Sequence, residues 1–200
     1  MRAAHAVTTV QIIRPRRSAP ARPRTRAALV RTTPTPVIRV ASADDADAIH
    51  QLIEQHVAEG RLLPRRREEI AVHASRFVVA TIRRRVVACV DLAPLSRTVA
   101  EVRSLVVSDE VRSLGIGRRL VDELASRAAA SGFQTLCAFT HMAGYFVQMG
   151  FSIVPHTWLP EKIEADCRSC AHFRTCGQYA VMLPLVRARQ TCVPLTSLHA

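Results

Sequence analysis

The feature that most constrains the fold lies in residues 101–120, EVRSLVVSDEVRSLGIGRRL, where an apolar run meets a basic loop with two glycines and then an amphipathic helix. The β-branched run at 99–107 predicts a strand. The following helix ends at Gly132, where a C-terminal cap belongs. Its apolar stripe consists of Ile116, Leu120, Leu124 and Ala128. Because glycine lets backbone approach a ligand and the first helical N–H groups lack partners within the helix, the junction predicts an anion-binding loop.

The segments on both sides of this junction predict one mixed α/β domain. Strands are predicted at 37–41, 76–83, 85–93, 99–107, 134–140, 151–155 and 179–186. Helices are predicted from the N-cap Ser42 to Gly60 and at 67–74, 114–132 and 142–149. The order β-α-α-β-β-β-α-β-α-β-β is typical of a single domain with a mixed sheet.

The positive charge is concentrated near the N-terminus. The net charge is +12, no acidic residue precedes Asp44, and residues 1–38 contain eight arginines, which leaves +4 for the rest of the chain. Nucleic-acid binding predicts basic residues interleaved with aromatics on a folded surface, whereas residues 1–38 contain no aromatic. We therefore expect no nucleic-acid partner. Among 28 basic residues only Lys162 is lysine, a bias that we interpret as GC-rich coding.

Composition divides the chain into an Arg- and Pro-rich extension (1–36), the predicted domain (37–186) and a C-terminal tail (187–200). The extension has three interpretations: a transit peptide, a disordered tail or an overlong translation start.

No apolar run approaches the ~20 residues that a membrane helix needs, so we expect a soluble chain with no membrane partner. Six cysteines without a secretory signal favour a reducing compartment. We expect the cytoplasm, with organellar targeting by the extension left open.

Other nucleotide-binding motifs do not fit the loop that contains Arg112, Gly115 and Gly117. A Walker loop requires Gly-Lys-Ser/Thr, whereas Arg118 follows Gly117. A Rossmann fingerprint requires three glycines in the first strand–helix unit and an acidic residue about 20 positions later. This loop has two glycines and follows a predicted antiparallel meander. It predicts a pyrophosphate site, with an ordinary glycine turn as the alternative.

Two segments carry a resemblance to a known family. LVVSDEVRSLGIGRRLVDEL (105–124) resembles motif A of the GCN5-related N-acetyltransferases (GNAT), and GYFVQMGF (144–151) resembles their second signature. The resemblance covers roughly residues 37–186 and implies a single acyl-CoA N-acyltransferase domain with a central mixed, mostly antiparallel sheet flanked by helices. It also implies acetyl-CoA as co-substrate, with pantetheine along the central strand and pyrophosphate at the loop. The cofactor-binding residues implied are Leu105, Val106, Val107, Arg112, Ser113, Leu114, Gly115, Ile116, Gly117, Arg118 and Phe146.

Acetyl transfer to an amine needs a neutral nucleophile, and Glu101 is the candidate general base. Strand alternation predicts that Glu101 shares one face with Arg103, Leu105 and Val107. Several GNAT branches place a base at the strand position of Glu101. The alternative is an ion pair between Glu101 and Arg103 with no catalytic role.

The acid that protonates the leaving thiolate has two candidates, a tyrosine and solvent. Many GNAT enzymes place a Tyr four residues before the Gly-Phe pair at 150–151, where this chain has Phe146. Tyr145 is adjacent, but one step along a helix turns a side chain by about 100°. The acid is therefore either Tyr145 through an altered turn or solvent, and we favour solvent.

Three further segments indicate the acceptor. RLLPRRREEI (61–70), AEVRSLVV (100–107) and HTWLPEKIEADCRSC (156–170) resemble the short, kinase-less bacterial N-acetylglutamate synthases, which perform the first step of arginine biosynthesis. The resemblance implies transfer to the α-amino group of L-glutamate. Arg103 and an arginine of 65–67, represented by Arg65, are the predicted carboxylate clamp, because guanidinium binds carboxylate through two parallel hydrogen bonds.

Two alternative functions stay open. One is a GNAT enzyme for another small amine or a protein amino group, and the other is a CoA-binding regulatory module without catalysis. A homodimer and a partner enzyme from arginine biosynthesis are likewise left open.

Cys167, Cys170 and Cys176 form the pattern C-x2-C-x5-C. Thiolates at x2 spacing bind Zn2+ or an iron–sulfur cluster, but tetrahedral zinc needs a fourth ligand. The candidates for that ligand are His172, Cys137 and Cys192. The alternative is that these cysteines are reduced and pack as small apolar side chains.

Overall fold

A computed structural model describes residues 35–58 and 62–185. The predicted tail at 187–200 and all but the last two residues of the predicted extension lie outside the described residues. The described strands are β1 (Val37–Val40), β2 (Phe77–Ile82), β3 (Arg85–Pro94), β4 (Val99–Val107), β5 (Thr135–Thr140), β6 (Ser152–Val154) and β7 (Tyr179–Pro184). The described helices are α1 (Ala46–Val57), α2 (Arg67–Val72), α3 (Ile116–Ala130), α4 (Ala143–Val147) and α5 (Pro160–Lys162), which continues as a π-helical turn at Ile163–Cys167.

The strands form one sheet in the order β1-β2-β3-β4-β5-β7-β6. Neighbouring strands are antiparallel except for β4 and β5, which are parallel. The predicted mixed sheet and the predicted order of elements are confirmed. Helix α5 was not predicted, because a run of three residues carries no helical periodicity.

Apolar side chains bury a core on each face of the sheet. One core lies against α3, where Leu120 and Leu124 are fully buried. The other lies against α1 and α2, where Ile49, Ile53 and Ile70 are fully buried. Each such side chain contributes about 1.5–3 kcal/mol relative to an exposed one. The sheet is therefore held between two helical layers.

A β-bulge interrupts β4. The register between β3 and β4 shifts between Cys89 and Asp91, and Ser104 has φ +49°. A bulge inserts an extra residue into one strand and bends it, so the side chains beyond it change faces. The Ser104 carbonyl accepts a weak hydrogen bond from the Cys89 thiol at 3.6 Å.

The bulge overturns the predicted alternation along β4. The prediction that Leu105 and Val107 share a face with Glu101 and Arg103 is wrong. Leu105 and Val107 pack against the α3 core, whereas Val106 lies in the α1 and α2 core. The extra residue reverses the alternation of side chains between the two ends of the strand.

Strands β4 and β5 pair over a short distance and then separate. Their register comprises three pairs, of which the last is Glu101 with Cys137. Beyond this pair, the edge of β4 from Val102 to Val107 has no strand partner on the β5 side among the described residues. Peptide N–H and C=O groups along this edge are free to bond an extended ligand.

Within residues 35–58 and 62–185, no helix has both the length and the apolar character required to cross a membrane.

Candidate active site

The loop before α3 has the backbone geometry of an anion site. Ser113 and Gly115 have φ of +68° and +71°, and Gly115 is the N-cap residue of α3. A left-handed conformation suits glycine and is uncommon for serine, so the loop is tightly constrained. Gly115 has no side chain to cap the helix, and the first-turn N–H groups therefore face outward at the positive end of the helix dipole.

Arg112 is held beside this loop by two partners. Its guanidinium lies 2.6 Å from an Asp109 oxygen and 3.1 Å from His56 Nε2. His56 Nδ1 lies 3.0 Å from the Leu52 carbonyl oxygen, which only accepts hydrogen bonds. The imidazole therefore carries its proton on Nδ1 and accepts from Arg112 through Nε2. His56 thus orients the arginine predicted to lie beside the pyrophosphate.

Gly117, in the first turn of α3, lies against Tyr145 of α4. A Cβ atom at this position would fall well inside van der Waals contact of the Tyr145 hydroxyl and 3.5 Å from Val107 Cγ2. The absence of a side chain therefore lets the phenol reach the start of α3.

Gly117→Ala is expected to weaken CoA binding about tenfold. A methyl group here must displace the Tyr145 phenol or the first turn of α3, which is the predicted pyrophosphate site, and a loss of about 1.4 kcal/mol in binding corresponds to a factor of ten. Gly144→Ala is the matched control, because a Cβ at Gly144 meets nothing within 4 Å. Titration calorimetry with CoA should separate the two variants, and equal affinities would contradict this account of Gly117.

The two aromatic residues of α4 face different surroundings. Phe146 is buried, with its ring centroid 5.2 Å from that of Phe151 in an edge-to-face contact. Tyr145 is half-buried, and burial raises the pKa of its phenol above the ordinary value, so the group stays protonated at neutral pH. The Tyr145 hydroxyl lies at the start of α3 beside Gly117. The phenol is therefore near the glycine loop.

Glu101 lies at the last residue pair before β4 and β5 separate, and its side chain is buried. The carboxylate accepts a hydrogen bond from Arg103 Nε. Its two oxygens lie 2.7 and 2.9 Å from Lys162 Nζ. Glu101 is thus a buried carboxylate with two cationic partners at the point where β4 and β5 separate.

Asp166 is the fourth charged residue of this group. It accepts from Arg103 Nη2 and lies 2.9 Å from Lys162 Nζ. Burial opposes its ionisation, but Lys162 and Arg103 hold the pKa of Asp166 below its ordinary value. Burial likewise disfavours the charged form of Arg103. The negative charges of Glu101 and Asp166 outweigh this effect and raise the pKa of Arg103 above its ordinary value. We call these four residues, Glu101, Arg103, Lys162 and Asp166, the site network.

Arg65 borders the site network. It lies 2.7 Å from Glu69 and 3.3 Å from the fully buried Asp91, which stands opposite Arg103 across β3 and β4. Arg65 Nε is buried and has no acceptor within residues 35–58 and 62–185.

The other two arginines of the predicted clamp differ from Arg65. Arg66 is exposed, and Arg67 pairs with Asp47 where both side chains are at least half exposed. Of residues 65–67, only Arg65 therefore borders the site network.

The predicted metal site is not supported. Among the described residues, no group of three or more His, Cys, Asp and Glu side chains could hold a metal ion. Cys176 and His172 are exposed, whereas Cys137 is buried against Glu101. Burial raises the pKa of the Cys137 thiol to about 12, and a metal ligand must be a thiolate. Cys192 lies outside the described residues.

Sequence reasoning did not identify Lys162, Asp166, Asp91 or His56 as site residues. Lys162 and Asp166 follow Glu101 by more than 60 positions, so only the folded chain brings them to it. One signal for Lys162 was available, because it is the sole lysine of the chain.

Comparison with known proteins identifies the family. The profile of the acetyltransferase (GNAT) domain matches residues 73–153. The chain is 33% identical over 148 residues to the uncharacterized N-acetyltransferase CT2212 of Chlorobaculum tepidum, covering 74% of this chain and 96% of that protein. The chain therefore belongs to the GNAT family, and it is an acetyl-CoA-dependent acetyltransferase of this type.

Further relatives are named for amino-acid acetylation. The chain is 32% identical over 118 residues to the amino-acid acetyltransferase of Pseudomonas putida, covering 58% of this chain and 27% of that one. N-acetylglutamate synthase of Neisseria gonorrhoeae, solved with coenzyme A and N-acetyl-glutamate, superposes with a TM-score of 0.69 at 26% identity. That superposition covers 76% of this chain and 36% of the synthase. The chain thus spans about a third of the length of these proteins.

The residues present fit coenzyme A. The β4 edge beyond Glu101 is available for an extended pantetheine arm, and α3 offers a first turn without a side-chain cap. Gly117 lies where a Cβ atom would fill the space beside Tyr145. These three features lie on one path from the glycine loop to Glu101.

Proposed function

We propose that this chain transfers the acetyl group of acetyl-CoA to the α-amino group of L-glutamate, as an N-acetylglutamate synthase of arginine biosynthesis. The observation that carries the proposal is the site network, in which a buried carboxylate lies beside a guanidinium. A zwitterionic amino acid needs both, an acceptor for its ammonium proton and a cation for its carboxylate. The relatives named for amino-acid acetylation support this choice of acceptor.

Binding of the co-substrate is assigned to β4 and to the loop. The N–H groups of residues 113–118, with Arg112, would hold the pyrophosphate, and the backbone of Leu105, Val106 and Val107 would bond the pantetheine arm. The co-substrate supplies a thioester, whose carbonyl carbon accepts the amine.

Glu101 is the proposed base. It removes a proton from the acceptor ammonium, directly or through one water molecule, at the point where β4 and β5 separate. Water is the proposed acid for the departing thiolate, because the Tyr145 hydroxyl lies at the start of α3, beside the loop proposed to hold the pyrophosphate.

Arg103 and Arg65 are the proposed clamp for the two carboxylates of glutamate. Arg103 already binds two carboxylates of the chain, Glu101 through Nε and Asp166 through Nη2. Arg65 retains a buried Nε–H without an acceptor among the described residues, which a second carboxylate would satisfy. A substrate with two carboxylates therefore matches the cations at this site better than an uncharged amine.

The proposal is tested by thiol release from acetyl-CoA against a panel of amines: the common amino acids, polyamines and peptides with free N-termini. Turnover confined to L-glutamate supports it. Turnover with other amines and not glutamate would assign a different acceptor, and tight CoA binding without turnover would indicate a binding module.

Arg103→Lys is expected to raise KM for glutamate about tenfold. Lysine retains the charge but loses the planar fork, and one charge-assisted hydrogen bond is worth about 1.5–3 kcal/mol. Arg67→Lys is the matched control, because Arg67 forms its ion pair with Asp47 on the exposed surface. Steady-state kinetics should show unchanged values for the control, and equal effects in both variants would exclude Arg103 from the clamp.

A further inference from the structure

We propose that Lys162 is itself an acetyl acceptor, so that the protein acetylates its only lysine in cis from acetyl-CoA. The inference rests on the proposed role of Glu101 as the base and goes beyond the proposed small-molecule substrate.

The position of the Lys162 amine carries the inference. An acceptor amine must reach Glu101, and Lys162 Nζ lies 2.7 Å from one oxygen of that carboxylate and 2.9 Å from the other. The same amine lies 2.9 Å from Asp166, whose carboxylate binds Arg103. Lys162 and Asp166 together present an ammonium to the base and a carboxylate to the guanidinium. A zwitterionic amino acid would present the same two groups.

The choice of residue type is a second observation. The sequence has 28 basic residues, and all but Lys162 are arginine. If the site network needed only a cation, arginine would supply one and could bind Glu101 and Asp166 with a fork of donors. Guanidinium stays protonated and is no nucleophile, whereas a lysine amine becomes one when it loses a proton. The single lysine of the chain thus lies at the one carboxylate proposed as a base.

Several contacts hold the backbone around Lys162 in place. Leu159, just before α5, is buried in a small core with Cys137. His156 Nε2 lies 2.9 Å from the Gln178 carbonyl, which joins the two ends of the segment 156–178. The Lys162 ammonium lies 5.3 Å from the centroid of the Phe139 ring. An amine held in this way pays little entropy to react, which favours an intramolecular transfer.

The step balances as an ordinary acetyl transfer. The Lys162 ammonium gives a proton to Glu101, and the neutral Nζ forms an amide bond with the acetyl carbonyl carbon. The bond between that carbon and the CoA sulfur breaks, and water protonates the thiolate. The second Nζ proton passes, as the amide forms, to the hydroxide that this water leaves, so the product keeps one N–H, and Glu101 then releases its proton to solvent. Acetylation removes one positive charge and the ion pairs of Lys162 with Glu101 and Asp166.

The test is mass spectrometry of the full chain after incubation with isotopically labelled acetyl-CoA. We expect one hydroxylamine-stable acetyl group on Lys162, at a rate independent of protein concentration. Hydroxylamine distinguishes the amide from thioesters on Cys167 or Cys170. The chain unfolded in guanidinium gives the background reactivity of the same lysine, and the folded chain should exceed it at least 100-fold, the lower end of general-base catalysis.

Two variants and one competition experiment test whether the labelling of Lys162 depends on Glu101. Glu101→Gln should reduce the rate toward the unfolded background, and Lys162→Arg should abolish the labelled amide. Excess L-glutamate should slow the labelling, because both amines use the same base. Labelling of Lys162 at the background rate, or at a rate that Glu101→Gln leaves unchanged, would overturn the inference.

The same samples separate this inference from the proposed function. Acetylated glutamate without acetylated Lys162 would refute the inference alone. Acetylated Lys162 without acetylated glutamate would refute glutamate as the substrate and leave the inference standing.

Discussion

Glu101→Gln is expected to lower the rate of acetyl transfer at neutral pH by roughly 10²–10⁴, the range that general-base catalysis contributes. Glutamine has nearly the same shape as glutamate and can still accept a hydrogen bond from Arg103, but it cannot take a proton from an ammonium. Glu101 lies at the end of the β4 and β5 pairing, away from the glycine loop, so CoA affinity should not change. Steady-state kinetics and calorimetry with CoA measure the two quantities separately.

The pH dependence provides a second test of this assignment. An acceptor amine loses its own proton as the pH rises and then needs no base. The difference in rate between Glu101→Gln and the unsubstituted protein should therefore become smaller above neutral pH. A deficit that is constant with pH would indicate that the carboxylate acts in some other way.

Asp166→Asn distinguishes proton transfer from simple ion pairing. Asp166 has the same two cationic partners as Glu101, namely Arg103 and Lys162. If Glu101 served only as an ion-pair partner, Glu101→Gln and Asp166→Asn would lower the rate of acetyl transfer by similar factors. We expect Asp166→Asn to lose far less than Glu101→Gln, and equal losses would favour the structural role of Glu101.

Asp91→Ala is expected to lower the free energy of unfolding by about 3 kcal/mol. Asp91 is fully buried, and it binds Arg76 at 3.2 Å through both carboxylate oxygens and Arg65 at 3.3 Å. Removing one partner of a buried ion pair costs about 3–5 kcal/mol, because the remaining charge stays desolvated. Arg76 is partly exposed, so the lower end of that range applies. For a domain of this size the melting temperature should fall by about 6–12 °C.

Asp122→Ala is the control for this prediction. Asp122 lies 3.8 Å from Arg118, and both side chains are about 60% exposed. Exposed ion pairs contribute about 0–1 kcal/mol, so the free energy of unfolding of this variant should differ from that of the unsubstituted protein by less than about 0.5 kcal/mol. Guanidinium denaturation measures both variants. A similar small loss for Asp91→Ala would show that the buried position of Asp91 contributes little.

Asp91→Ala should also raise KM for glutamate. Arg65 and Asp91 lie 3.3 Å apart, and Asp91 stands opposite Arg103 in the sheet. The carboxylate therefore aligns both arginines of the proposed clamp.

Periodicity along the chain was sufficient for most of the fold. Strand β4 and helix α3 were predicted because β-branched residues and an apolar stripe each bury one side of a regular element. The loop was predicted because Gly115 has a conformation that few other residues adopt. The bulge at Ser104 was not predicted, since it arises from the pairing of β4 with β3 and its residues carry no local signal.

The spacing of the cysteines in the sequence did not show whether they bind a metal. The pattern C-x2-C-x5-C is compatible with a metal, yet no metal-holding group forms among the described residues. A coordination site requires side chains to converge on one point, which depends on the path of the backbone between them.

The sequence by itself determined the family and the order of elements, and it predicted the anion-binding loop and Glu101 with its neighbour Arg103, because each depends on residues close together in the chain. The tertiary structure decided which charges meet that pair. Lys162 and Asp166 come from α5 and its π-helical turn, and Asp91 comes from the adjacent strand β3. Ion pairs act over a few ångströms, so the partners of a buried carboxylate depend on how distant segments pack and not on their order in the chain.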